Sequence, residues 1–224
     1  MRYVILHTPR TGSNVLCDCL VQTGLAGMRD LNDAGFFIGF GESVAQAFAS
    51  GAVDKYFERN RTPNGVEGCK LSWDYIEHLN KYLSWGDIDK ILRSFDRFVW
   101  LTREDVAEQA VSRLYARTCG VWTSLDQPKA DVLPVHYNVD RLTYFAAQAA
   151  GENAAIEMWL RLHRETPLKL TYEENSAAWN VAVEKILRFV GYEGDIPVIK
   201  PKLKKLKDNE KLRWATRFRE EAGL

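Results

Sequence analysis

Arg10, Thr11, Gly12, Ser13 and Asn14 place a planar cation, two hydroxyls, a glycine and a carboxamide directly after the apolar run Tyr3 to Leu6. An amphipathic stretch begins at Val15, so the local order reads strand, loop, helix. A loop of this kind suits an anion. Gly12 lets the backbone come close to a ligand. The amides of Gly12, Ser13, Asn14 and Val15 lie where the helix dipole favours negative charge. Thr11 and Ser13 add hydroxyl donors, and Arg10 offers a fork matched to phosphate or sulfate oxygens. The plain alternative is an ordinary strand-to-helix turn capped by Ser13. A Walker A loop is not the answer, because that motif needs a lysine directly after its second glycine and a hydroxyl for magnesium. Here Ser13 and Asn14 follow Gly12, so the loop reads as a site for an anion that needs no metal.

These residues must be held by a fold. The chain has 224 residues, 46% of them hydrophobic, enough for one sizeable α/β core as a single domain. Lys and Arg total 30, as do Asp and Glu, so no overall basic surface points to nucleic acid. No apolar stretch reaches the roughly 20 residues a membrane-spanning helix needs. The N-terminal apolar run is too short for a signal peptide, and a cytoplasmic protein is expected. Cys17, Cys19, Cys69 and Cys119 contain no C-x-x-C pair, which speaks against a zinc site and for buried free thiols.

The pattern predicts helices over 13–23 (stopped by Gly24), 42–59, 105–117, 139–163 and 176–190. Two more are expected in "WDYIEHLNKYL" and "GDIDKILRSF", and a last amphipathic one around "EKLRWATRFREE". Strands are predicted for the first apolar run, "VEGCKL", "RFVWLT" and "LKLTY". Strands alternating with helices imply a three-layer sandwich with a mostly parallel sheet covered on both faces. Ligands bind such sheets beyond the carboxyl ends of the strands. Arg10 to Asn14, Ser72 and Trp73, Arg103, and Glu173 and Glu174 should therefore gather at one end, with Lys70 closing its strand there.

Two segments carry a resemblance. "TPRTGSNVLCDCL" followed by "TGLAG" resembles the opening of bacterial sulfotransferases that use 3′-phosphoadenosine 5′-phosphosulfate (PAPS), in the trehalose 2-sulfotransferase-like branch. "LTREDVAEQAVSRLYARTCGVW" is similar to their second signature. The resemblance implies a P-loop-like α/β fold and sulfonate transfer from PAPS to a hydroxyl, leaving adenosine 3′,5′-bisphosphate (PAP) and requiring no metal. It assigns Arg10, Thr11, Gly12, Ser13 and Asn14 to the sulfonate and its bridging phosphate, and Arg103 and Ser112 to the 3′-phosphate. Arg10 and the loop amides would stabilise the transferring group, with Lys70 assisting. The expected acceptor is a small hydroxyl compound, a sugar or glycolipid, packed on Trp73, Trp122, Phe36 or Phe37. A homodimer is kept open.

The catalytic base is where the pattern departs. The trehalose-type relatives carry a glutamate after "TG-x-AG" and before two aromatics. Here that segment is "TGLAGMRDLNDAGFF", and counting from either end reaches Leu31 or Gly35. Asp30 and Asp33 are the nearby carboxylates; Asp33, nearer the aromatics, is the expected base, and His7 is its rival. The basic tail "KPKLKKLKDNEK" reads ordinarily as a solvated face; the functional alternative is that it and the helix after it, residues 200–224, close over the cofactor, with Lys202, Lys204 and Lys207 facing its anionic groups. The competing readings are a P-loop small-molecule kinase and a nucleotide-binding protein without catalysis.

Overall fold

The computed structural model describes residues 1–28, 52–126, 134–203 and 208–224. Asp30, Asp33, Phe36, Phe37, Lys204, Lys205 and Lys207 lie outside the described residues.

Four strands form the sheet: β1 (Arg2–His7), β2 (Glu67–Ser72), β3 (Arg97–Thr102) and β4 (Leu168–Thr171). Their order is β2-β1-β3-β4, and every pairing is parallel. Leu6 lies level with Leu71 on one side and Trp100 on the other, so the three carboxyl ends align. The two central strands carry continuous buried apolar runs, Tyr3 to Leu6 and Phe98 to Leu101, as a parallel sheet covered on both faces requires.

Nine helices are described: α1 (Ser13–Thr23), α2 (Ala52–Asn60), α3 (Trp73–Leu79), α4 (Trp85–Leu92), α5 (Val106–Cys119), α6 (Val139–Leu162), α7 (Tyr172–Asn175), α8 (Trp179–Phe189) and α9 (Asn209–Ala222). Alternating strand residues face two cores. Tyr3, Ile5, Val99, Leu101 and Leu170 pack on Leu16 and Leu20 of α1 and on Val183 and Ile186 of α8. Val4, Leu6, Cys69, Phe98 and Trp100 pack on α2, α3, α4 and α6 through residues such as Phe57, Ile76, Ile88 and Ile156. A third cluster joins α5, α6 and α9 through Leu114, Phe145 and Phe218. The chain is thus the expected three-layer α/β sandwich, with a short added helix, α7, between β4 and α8. Of the helix predicted over 42–59, the described part is α2. Among the described residues, no helix is long and apolar enough to cross a membrane.

Candidate active site

The loop between β1 and α1 is shaped by two left-handed residues. Arg10 has φ 74 and Gly12 φ 82, while Thr11 between them keeps a negative φ. Alternation of this kind turns successive amides into one concavity, a common anion cradle. A non-glycine residue at positive φ is strained, and strain of this sort gathers at binding sites.

The start of α1 is open. Its N-cap is Gly12, with no capping side chain, whereas Ser84, Asp105, Asn138 and Asp208 each cap their own helices. Ser13 is therefore the first helical residue and not the cap of the plain alternative. The first-turn amides of α1 have no partner within the helix and face the cavity.

Lys70 sits beside this turn. Its ammonium donates to Asn14 Oδ1, and it makes no ion pair among the described residues. Burial pushes its pKa below the ordinary lysine value. A half-buried cation with no ion pair among the described residues gains from an anion beside it.

Arg10 reaches across to α5. Its Nε donates to Ser112 Oγ at 2.9 Å and its Nη1 to the Trp122 carbonyl at 2.6 Å. Burial, then the nearby Arg103, lowers its pKa to about 10, so it stays charged at neutral pH. Arg10 and Ser112 thus come together, although the resemblance divides them between sulfonate and 3′-phosphate.

Arg103 is buried, and its guanidinium is already engaged. Nη2 pairs with Glu108 at 2.5 Å, Nε lies 3.8 Å from Glu173, and Nη1 donates to the Arg10 carbonyl at 3.3 Å. The Tyr172 ring lies against its face at 4.5 Å. It holds the strained backbone of Arg10 while also lining the cavity. Glu173 accepts the amides of Glu104 and Asp105 at 3.0 and 3.2 Å, fixing the turn into α5.

Thr11 is placed differently from expectation. It is fully buried, and its hydroxyl donates back to the Thr8 carbonyl at 3.1 Å. It closes the loop internally and does not line the cavity, because the left-handed turns on either side rotate it inward. The residue that sequence reasoning missed is Gln109. Its buried amide nitrogen donates to Thr8 Oγ1 at 2.7 Å and to the Pro9 carbonyl at 2.8 Å, bracing the loop from α5. The "QAV" of the second signature pointed to it, but its partners lie about a hundred residues away.

One cavity of about 1070 Å³ joins these groups. It is also lined by Asp74, Tyr75, Glu77 and His78 from α3, Gln148 from α6, and Trp122. Asp74 is held by Ser72 Oγ at 2.6 Å and by Arg113 and Arg117 at 3.4 Å each. Trp73, by contrast, is buried in the core and not a stacking platform.

His7 closes β1 on the cavity wall. Its Nδ1 donates to the Thr8 carbonyl at 2.9 Å, since a carbonyl can only accept. Burial, with the Lys70 charge adding to it, lowers the imidazole pKa to about 4, so the ring is neutral at physiological pH. The cysteine thiols of α1 are pushed up by burial, to about 11 for Cys17 and about 12 for Cys19, and are not nucleophiles.

A parallel α/β sheet, with an uncapped helix start and cations at the strand ends, is a P-loop-like arrangement. The chain belongs to the Stf0 sulphotransferase family, whose model matches residues 2–221. It is also similar to a curated trehalose 2-sulfotransferase from Mycobacterium tuberculosis (strain ATCC 35801 / TMC 107 / Erdman). The two are 24% identical over 98% of this chain and 95% of the relative's length.

Proposed function

We propose that the protein transfers the sulfonate of PAPS to a hydroxyl of a small sugar acceptor, in the cytoplasm and without a metal. The observation that carries this reading is Lys70, a half-buried ammonium that makes no ion pair among the described residues, set against the open amide end of α1. A sulfonate and its bridging phosphate supply the missing negative charge. The loop keeps its shape because Gly12 has no Cβ, which would lie 2.8 Å from the rings of Trp179 and Tyr172.

In this reading the amides of Gly12, Ser13 and Asn14, together with Lys70, stabilise the charge that spreads over the sulfonate oxygens. Arg10 and Ser112, already joined, take an anionic group of the nucleotide. Arg103 is assigned the 3′-phosphate by resemblance; its guanidinium also serves Glu108, Glu173 and the Arg10 carbonyl, so the phosphate would share that fork. The acceptor oxygen bonds to sulfur, the bond from sulfur to the 5′-phosphate oxygen breaks, and the hydroxyl proton passes to a base. Asp33 remains the proposed base. The polar wall of Asp74, Glu77 and Gln148, with Trp122, suits a polyhydroxyl acceptor, since carboxylates and amides accept hydroxyl protons and an indole packs on a sugar face.

The reading is tested by ligand-dependent melting. PAP should raise Tm in the presence of EDTA, because a ligand that binds only the native state stabilises it by mass action. ATP, which lacks the 3′-phosphate, should shift it less. Equal shifts for both nucleotides, or a PAP effect that appears only with magnesium, would favour a phosphotransferase instead.

A further inference from the structure

The C-terminal tail is built into the cavity wall, and it contributes one cation whose position the core of the fold fixes. The approach to it is strapped down along α8 and α1. Asn180 pairs with both the amide and the carbonyl of Ile199, at 2.7 and 2.9 Å. The Asp18 carboxylate accepts the amides of Lys202 and Leu203 at 2.6 and 3.2 Å. Beyond residues 204–207 the chain continues as α9, which docks on α5. Ala215 and Phe218 are buried there. Arg219 pairs with Asp105, the cap of α5, at 2.6 Å, and Tyr137 donates to Glu221 at 2.7 Å. The tail therefore runs from the helix that opens at the anion loop to the helix that carries Ser112.

The first turn of α9 brings Asp208, Asn209, Lys211 and Leu212 to the cavity. Lys202 does not line it; its backbone is used in the strap and its side chain is exposed. Within that turn, each carboxylate also has a hydrogen-bond partner. Asp208 caps its own helix through the Glu210 amide at 2.9 Å, and Glu210 accepts the Tyr115 hydroxyl at 2.7 Å. Lys211 makes no ion pair among the described residues. Its ammonium lies 4.4 Å from the centre of the Tyr115 ring. Tyr115 is three residues after Ser112 on α5, so the two side chains share one helix face. Ser112 in turn holds the Arg10 guanidinium.

We propose that Lys211 binds the 3′-phosphate of the nucleotide, as the third member of a group with Arg10 and Ser112. The inference rests on the sulfotransferase reading above and deepens it. Lys211 rests on the Tyr115 ring, on the helix face that also carries Ser112; Ser112 holds Arg10, and Arg10, Ser112 and Lys211 all line one cavity. Burial opposes the charge on Lys211, the Asp208 carboxylate favours it, and the repulsion from Arg10 opposes it. A phosphate dianion placed between Lys211 and Arg10 would turn that repulsion into attraction, and the Tyr115 face would keep the lysine stem in place.

The test compares PAP with adenosine 5′-phosphosulfate, which lacks the 3′-phosphate, by calorimetry on the full chain. Lys211→Met should weaken PAP binding about 10- to 100-fold, the scale of a charge-assisted hydrogen bond. It should leave adenosine 5′-phosphosulfate unchanged. Lys211→Arg, which keeps the charge, should restore most of the PAP affinity, and Lys202→Gln should match wild type. Unchanged PAP binding in Lys211→Met overturns the proposal. So does an equal loss for both ligands, or a Lys211→Arg protein as weak as Lys211→Met. Wild-type protein that binds neither nucleotide would instead bring down the cofactor reading itself, and this inference with it.

Discussion

Gly12→Ala should destabilise the fold by about 2–5 kcal/mol and abolish PAP binding. Two costs add. A left-handed conformation costs a residue with a Cβ about 1–2 kcal/mol. Overpacking a filled core costs about 1–3 kcal/mol more. At Gly12 both apply: φ is 82, and a Cβ would lie 2.8 Å from Trp179 Cη2 and from Tyr172 Cδ2. Neither ring can retreat easily, because Trp179 is buried in the α1–α8 core and Tyr172 is stacked on Arg103. Relief would have to come from the loop, which is the proposed anion cradle. Gly24 supplies the comparison. It is also left-handed, with φ 66, and has nothing within 4 Å of a built Cβ. Gly24→Ala should bear only the conformational cost and bind PAP normally. Equal melting temperatures and equal PAP affinities for the two variants would show that the cradle does not depend on the Gly12 contact.

Arg113→Met should cost about 3–5 kcal/mol at pH 8, the range for breaking a buried ion pair by removing one partner. Arg113 is 1% exposed and Glu152 2% exposed. They meet at 3.0 Å, and Arg113 reaches Asp74 on the cavity wall at 3.4 Å. The pair thus joins α5 to α6 and α3 behind the candidate acceptor wall. Burial outweighs the ion pair at Glu152 and raises its carboxyl to about 7. The sign follows from where the protons are. Between the ordinary carboxyl value and about pH 7 the folded state holds a proton that the unfolded chain has released. The contribution of Glu152 to stability is therefore full below its unfolded value and is lost as pH rises through 7. Removing Arg113 disfavours the carboxylate further, so the deficit of Arg113→Met should be largest at pH 8 and smaller at pH 5, where Glu152 is already neutral. Arg113→Met combined with Glu152→Leu should recover much of the loss, since no unpaired charge remains. Denaturant unfolding at the two pH values reads this directly. A deficit that is the same at both, or a double variant no better than the single, would mean that the pair acts only through packing.

The elements were legible because their signals are local. Gly24 ends α1 as a left-handed cap, the β-branched and aromatic run of "RFVWLT" is β3, and the apolar spacing after Asn138 runs the full length of α6. The strand-loop-helix path at Arg10 to Asn14 was legible for the same reason: its glycine, arginine and helix start are adjacent in the chain. What the sequence could not supply was the direction of each side chain at turns and across large separations. Thr11 and Arg10 are neighbours, yet the left-handed turns send one hydroxyl into the loop and the other residue's guanidinium across to Ser112, 102 residues away. Trp73 and Trp122 were equal candidates for a sugar platform; the start of α3 buries the first in the core, and Trp122 alone faces the cavity. The basic tail drew attention through its lysines as a group, but only the docking of α9 on α5 singles out Lys211.

The most direct measurement is turnover of PAPS labelled in its sulfonate, in EDTA, with trehalose and a panel of mono- and disaccharides. Mass spectrometry would follow both the sugar and the nucleotide. The account predicts that PAP forms together with a singly sulfonated sugar that carries the label, at a rate that falls sharply in Gly12→Ala. PAP binding with no labelled product from any acceptor would leave a nucleotide-binding protein without transfer, and would contradict the central claim.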